Sequence, residues 1–337
     1  MRPMRQLLWV PGTVMVLAVL VDLLVTCIQS GEGRLSRAVH RQLYAALRLA
    51  ARVFRRRGLL AWSTPVLIMG TLTVWTGLLW LGWTLIFWSQ PGALVGAENG
   101  QPATFLASFY FVGYTLSTLG LGEIIATKPL WRILTDIASI SGFFLLTFAI
   151  TFIVPVAQAR ADRRELALWL HRAGPGAQAL IINAHTDHDQ GLRSLTTSLH
   201  SVLNRIDAAH LNTPYLHRFH DHDQQDALDL HLPALGEALL ILEGALRGDC
   251  PQGLRRALAS VTSVARTFHL THGGALPPVP PPPDLTPLRG AGFDLKSDAE
   301  FHLFLANHTQ LRRRLYAMTH MGLWSWEEVA GTHGESS

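Results

Sequence analysis

Between Gly58 and Ala97 the chain holds no aspartate, glutamate, lysine or arginine. A stretch this long offers no polar face to water, so it belongs in a bilayer or deep inside protein. Leu59–Trp88 exceeds the roughly 20 residues that cross a hydrocarbon layer at 1.5 Å per residue. Its length predicts a tilted span or one bent at Pro65. Trp75, Trp80, Trp83 and Trp88 are expected to form an aromatic belt at the outer interface.

A second apolar run, Leu7–Ile28, is interrupted only by Asp22. It is longer than the apolar core of a signal peptide, about 7–15 residues, and no small-x-small site follows it, so the expectation is a retained anchor. An exposed carboxylate at Asp22 would be expensive inside a membrane. It is expected to face protein or water and to pair with an arginine, with a gating role as a further reading. Composition agrees with a membrane protein: 15% of residues are charged, against roughly 25% in soluble domains. The shortfall is confined to one half. Residues 1–159 carry 12 Lys+Arg and 5 Asp+Glu, a balance of +7, and residues 160–337 carry 16 and 19, a balance of −3. A wholly soluble enzyme, a disordered chain and a collagen-like polymer are excluded. Cys27 and Cys250 build no disulfide framework, and the net positive charge crowds beside apolar segments rather than pointing to nucleic acid.

Arg34–Arg57 contains eight arginines. Leu35, Val39, Leu43, Leu47, Ala50 and Phe54 share one helical stripe, and Arg37, Arg41, Arg48, Arg52 and Arg55 fall largely on another. This is the pattern of an amphipathic helix on anionic headgroups, or of a solvated linker helix, and in both cases it is expected on the cytoplasmic side. With Leu7–Ile28 as a span, the N-terminus is then outside. Two apolar stretches remain, 103–122 and 130–157. If both crossed, Arg160, Arg163 and Arg164 would lie outside; if the first dips in and returns, they share the cytoplasm with Arg34–Arg57. The charge rule favours the second topology. A re-entrant segment at membrane depth must line a watery cavity or be buried in protein, which points to a pore.

Its tail reads Thr115-Leu-Ser-Thr118-Leu-Gly120-Leu-Gly122-Glu123. Glycines at alternate positions allow a backbone whose successive carbonyls face one side. Rings of such oxygens, from several chains around an axis, can replace the hydration shell of a cation. Phe109–Leu116 would form a short pore helix with its carbonyl end aimed at that axis.

This stretch resembles the potassium-channel signature T-x-T-T-x-G-Y-G-D, with Ser117 for a Thr, Leu121 for the Tyr and Glu123 for the Asp. The resemblance covers roughly residues 60–157. It implies a filter of Thr118, Leu119, Gly120, Leu121 and Gly122, holding K+, with Glu123 bracing it from behind or sitting at its mouth. Tyr110 and Phe111 would take pore-helix positions where relatives carry tryptophan, and Tyr114 and Thr115 would support the filter. Gly142 would be an inner-helix hinge. Phe143, Leu146, Ile150 and Val154 would face the conduction axis, and Pro155 would mark either a bend at a gate or a helix end. Leu121 resembles the second filter of some two-pore-domain potassium channels. It cannot hydrogen-bond as the tyrosine does, so the filter is expected to be held by packing alone. One signature per chain implies a homotetramer.

The expected fold class is therefore an all-α membrane protein: a first span over 1–29, a basic interfacial helix over 34–57, a pore domain over 59–158, and a helical cytoplasmic domain over 160–337. Within the pore domain the outer helix takes 59–89, the pore helix 103–117, the filter 118–122 and the inner helix 130–158. The inner helix is expected to continue as a charged helix over 160–173. Further helices are expected over 177–184, 190–209, 225–247, 251–270 and 298–320, the last capped by Ser297 and Glu300. A Pro-rich linker over 273–292 reads as extended polyproline, a linker or a docking strap for a protein partner. Asp136 is expected to pair with Arg132. Histidines cluster at His185 and His188 and again at His217, His220 and His222, where with neighbouring aspartates they could sense protons or hold a divalent metal; the other reading is solvated loops. The leading function is a K+ channel regulated by its helical domain. A weakly selective cation pore, a metal-binding enzyme or sensor on a membrane anchor, and a non-conducting sensor are the alternatives.

Overall fold

The computed structural model describes residues 5–28, 31–54, 56, 58–186, 199–212, 223–248, 253–272 and 274–331. Two compact units emerge: Met1–Ala46 with Pro65–Pro155, and Leu47–Thr64 with Val156–Ser337.

In the first unit, helix α1 covers Trp9–Cys27, α2 begins at Arg34 and runs to Val53, and α3 covers Ser63–Ser89 after a short turn at Gly58–Ala61. A strand β1, Leu94–Gly96, precedes α4, Phe105–Leu116; strand β2, Ile124–Ala126, precedes α5, Pro129–Ala173. Trp9–Cys27, Gly58–Ser89 and Pro129–Ala173 are long and apolar enough to cross a bilayer. At 12 residues, about 18 Å, α4 is too short to do so. Helices α1 and α3 cross where two glycines meet. A Cβ on Gly12 would lie 2.6 Å from the Gly82 carbonyl, and one on Gly82 would lie 2.9 Å from that of Gly12, the small-residue contact that lets membrane helices approach closely.

The helix is interrupted at Trp62, and Pro65 sits in the first turn of α3 as it resumes, where its missing N–H has no intrahelical partner to lose. Two expectations fail here. Trp75 and Trp83 are not a belt, since both are buried, with their indole N–H groups donating to Asp22 and to Ser141 across helices, each at 3.0 Å. Among the described residues, Asp22 pairs with no arginine. Its carboxylate accepts from the Leu35 and Ser36 amides at 2.8 and 3.0 Å and from the Ser36 hydroxyl. An α1 acid thus caps the start of α2, where orphan amides and the positive end of the helix dipole favour an anion. Nearby, His40 is fully buried between Glu32, 2.5 Å from Nδ1, and Thr71, 2.8 Å from Nε2.

Helix α5 runs unbroken through Pro155 to Ala173, so the reading of Pro155 as a helix end does not hold, and the charged continuation over 160–173 is present.

The second unit is helical: α6 Ala177–Thr186, α7 Leu199–Asn212, α8 Leu228–Gly244, α9 Leu254–His272, α10 Thr286–Gly290, α11 Asp298–Ala306, α12 Thr309–Met321 and α13 Trp326–Ala330. Apolar residues occupy every side of α8, and all of it except Glu243 is buried, as expected of a helix at the centre of a core. Its two deeply buried acids are matched: Asp229 by Arg163 at 2.9 Å and Glu237 by Arg312 at 2.8 Å. Burial pushes the Glu237 carboxyl up, and the guanidinium opposes that shift. Ser297 and Glu300 close the expected capping box, but the final helix breaks at Asn307–His308 into α11 and α12. The 190–209 helix is described only from Leu199 onward.

The proline-rich segment is extended, yet it is no loose linker. Arg312 donates to the Pro280 and Pro281 carbonyls at 3.1 and 2.6 Å, and Arg313 to those of Pro277 and Leu276 at 2.7 and 2.9 Å. Polyproline leaves its carbonyls without internal partners, and these arginines supply them.

Candidate pore site

Thr104 opens α4 as its N-cap, accepting from the Ala107 amide at 3.2 Å. The helix is seated on α3 through Trp80, whose ring stacks on Phe109 at 4.5 Å and whose N–H donates to the Phe109 carbonyl at 2.7 Å. Gly113 allows this approach, because a Cβ there would lie 2.5 Å from the Trp80 ring. Phe111 is buried between Phe87 and Tyr114, each ring 5.3 Å away. The buried Thr115 hydroxyl donates within its own helix, to Phe111 at 2.8 Å.

At the C-terminus of α4 the chain reverses. The Thr118 amide donates to Thr115 at 3.0 Å, and the Leu119 and Gly120 amides both donate to the Tyr114 carbonyl, at 2.8 and 3.4 Å. Thr118, Gly120 and Gly122 have φ of 60, 56 and 78°, so left-handed residues alternate with Leu119 and Leu121. Alternation of this kind turns successive peptide planes over and brings their carbonyls to one side. Among the described residues, no hydrogen bond ends on the carbonyls of 118–122. Leu119 and Leu121 project outward, 64% and 46% exposed in the single chain. A β-branched residue in the left-handed region costs of order 1–3 kcal/mol. Thr118 occupies it where glycine would be free of strain, and it supplies a hydroxyl that glycine lacks.

The far end of the segment is clamped. Strands β1 and β2 pair antiparallel, Leu94 opposite Ala126 and Gly96 opposite Ile124, and the Ala97 amide donates to the Glu123 carbonyl at 2.8 Å. The Tyr114 hydroxyl donates to the Ile124 carbonyl at 2.8 Å, and Tyr110, one turn earlier, sets its ring edge-on to that of Tyr114 at 5.3 Å. The expectation that packing alone holds this segment is therefore wrong. Leu121 makes no polar tie, but Tyr114 on α4 does so from the opposite side. The three-residue strands are not among the expectations. Tyr114 is, as a support of this segment, and its partner is the Ile124 carbonyl.

Gly142 lies close against the end of α4: a Cβ there would fall 2.1 Å from the Leu116 carbonyl. That contact accounts for the glycine without a hinge. Phe143, Leu146, Ile150 and Val154 are each about 60% exposed, an apolar stripe open to partners. Arg132 does not pair with Asp136; its Nε donates to the Ala126 carbonyl at 3.2 Å. Of the histidine cluster, His185 packs on Phe293 with ring centroids 4.6 Å apart, and His188, His217, His220 and His222 lie outside the described residues. Among the described residues, no three His, Cys, Asp or Glu side chains gather as a metal site.

Residues 68–159 match the family described as Ion channel. The chain is also 26% identical over 323 residues, 94% of either chain, to YdjJ of Bacillus subtilis (strain 168), described as an uncharacterized membrane protein. No solved structure matches. A segment similar to an ion-channel family thus sits within an all-α membrane protein.

Proposed function

We propose that the protein is a homotetrameric, potassium-selective channel whose C-terminal helical domain is cytoplasmic and regulates it. The observation that carries this reading is the alternation of left-handed backbone at Thr118, Gly120 and Gly122, directly beyond the end of a helix too short to span. Four copies around an axis would present stacked rings of unpaired carbonyls from 118–122, topped by leucine-flanked glycines and floored by the Thr118 hydroxyl. Such rings replace water around a dehydrated monovalent cation. The C-terminal end of α4 adds partial negative charge at the same place. Phe143, Leu146, Ile150 and Val154 would line the inner pore, where four apolar rings close by dewetting. On this topology Arg34–Arg57 meets the anionic inner leaflet.

Recording purified protein in planar bilayers under bi-ionic K+/Na+ conditions tests the proposal. A reversal potential displaced strongly towards selective K+ permeation is expected. Near-zero reversal with sizeable currents would favour the weakly selective pore that Leu121 motivates. Absence of any flux from folded, tetrameric protein would reject conduction itself.

A further inference from the structure

Helix α12 carries three consecutive arginines, and they have different fates. Arg312 is occupied by Glu237 and the strap, and Arg313 by the strap alone. Arg314 points the other way, into a cleft of about 840 Å³ between α9 and α12. Its Nε is buried and, among the described residues, has no acceptor. A guanidinium does not deprotonate to escape this situation, and a buried donor left without a partner costs of order 1–3 kcal/mol.

The opposite wall of the cleft comes from one face of α9. Arg255 and Arg266 stand three turns apart, and the positions between them, Ala259, Thr262 and Ser263, are small, leaving a concavity bracketed by two cations. Glu243 lies 3.5 Å from Arg255 and offsets one charge; among the described residues Arg266 and Arg314 make no ion pair. Leu258 adds an apolar patch, and His308 completes the rim. The volume falls within the range of small-molecule sites, about 300–1,000 Å³.

We infer that this cleft binds a phosphate-bearing small metabolite of nucleotide size, with Arg266 and Arg314 holding the phosphates and the Leu258–Ala259 surface receiving the organic part. Planar guanidiniums match phosphate oxygens in bidentate fashion, and the hydroxyl-bearing, small-residue wall leaves room for the group between them. The inference does not depend on conduction, and binding is measured without it.

Isothermal titration of the full-length protein in detergent, at constant ionic strength, uses ADP and pyrophosphate as probes, with sodium sulfate as a plain-anion control. Arg266→Gln and Arg314→Gln are compared with Arg256→Gln, an equal charge change on α9 outside the cleft. Saturable ADP binding, weakened tenfold or more by the first two substitutions and unchanged by the third, is expected. Because Arg266 is exposed, its variant reports on the site even if the partly buried Arg314 variant unfolds. Heats no larger than those of sulfate, or affinities equal in all three variants, would overturn the inference. A parallel titration with short-chain phosphatidylglycerol separates the sources of phosphate: Arg266-dependent binding of the lipid without binding of ADP would also overturn it.

Discussion

The indole N–H of Trp75 donates to the Asp22 carboxylate at 3.0 Å, so the acid of the first span is held by the second while it caps the helix between them. Four donors converge on this one side chain: two amides, a hydroxyl and an indole. All are neutral, which avoids the desolvation of a second ion that an arginine partner would bring. Asp22→Asn turns half of the acceptor into a donor facing donors. A loss of about 2–4 kcal/mol is expected, since bonds to a charged acceptor contribute about 1.5–3 kcal/mol each. Thermal unfolding in detergent reads the loss, and amide exchange at Leu35 and Ser36 should accelerate. An unchanged melting temperature with unchanged exchange would show that the cap is dispensable.

Tyr114 is placed to do from α4 what Leu121 does not do from the 118–122 segment. Tyr114→Phe keeps the ring packed on Phe111 and deletes only the bond to Ile124, a net stability cost of about 1 kcal/mol. On the proposed function the larger consequence is on ion choice. Sodium permeability relative to potassium should rise while potassium current persists, as read from bi-ionic reversal potentials. Identical ratios for wild type and variant would deny the tyrosine any part in holding the carbonyls.

Two helical glycines give opposite forecasts. At Gly142 a methyl group would meet the Leu116 backbone at 2.1 Å, whereas at Gly77 nothing lies within 4 Å. Backbone cannot rotate away as a side chain can, so Gly142→Ala should cost more than the 1–3 kcal/mol typical of overpacking or displace α4. Gly77→Ala should be neutral or stabilising by up to about 1 kcal/mol. Melting temperatures of the pair decide this, and a tolerated Gly142→Ala would return the residue to a hinge role.

The spans were legible because a run without charge has few places to go, and the 118–122 segment because alternate glycines restrict what a backbone is for. Less visible were contacts whose partner is a backbone group, which leaves no mark in a sequence. Asp22 meets the amides of Leu35 and Ser36, and nothing in residues 34–36 announces it. The Arg312–Arg313 pair reads as solvated charge until the proline carbonyls are seen against it. Trp75 and Trp83 fit an aromatic belt by spacing, yet an indole N–H with a reachable acceptor on another helix is held inside. Gly142 satisfies both a hinge and a close approach at the same position, and only the distance to Leu116 separates them.

The helical domain should lose stability in mild acid, through buried histidines rather than the clustered ones. His210 donates from Nδ1 to the Ile206 carbonyl at 2.8 Å, and its Nε2 has no partner among the described residues. His231 donates from Nε2 to the Gln224 carbonyl at 2.9 Å, and its Nδ1 has no partner among the described residues. Burial lowers each from 6.5 to about 4, with Arg163 adding to the effect at His210 and His171 at His231. Below pH 6.5 the unfolded chain takes up protons that the folded domain refuses until about pH 4. The stability these residues contribute is therefore complete above pH 6.5 and declines as pH falls through that window, by up to about 1.4 kcal/mol per pH unit for each. Replacing both residues by leucine removes this component, so the melting temperature of the variant should fall less steeply between pH 6.5 and 4.5 than that of the wild type. Carboxylates titrate in the same range but are common to both proteins, so parallel slopes would mean that the two imidazoles already accept protons in the folded state.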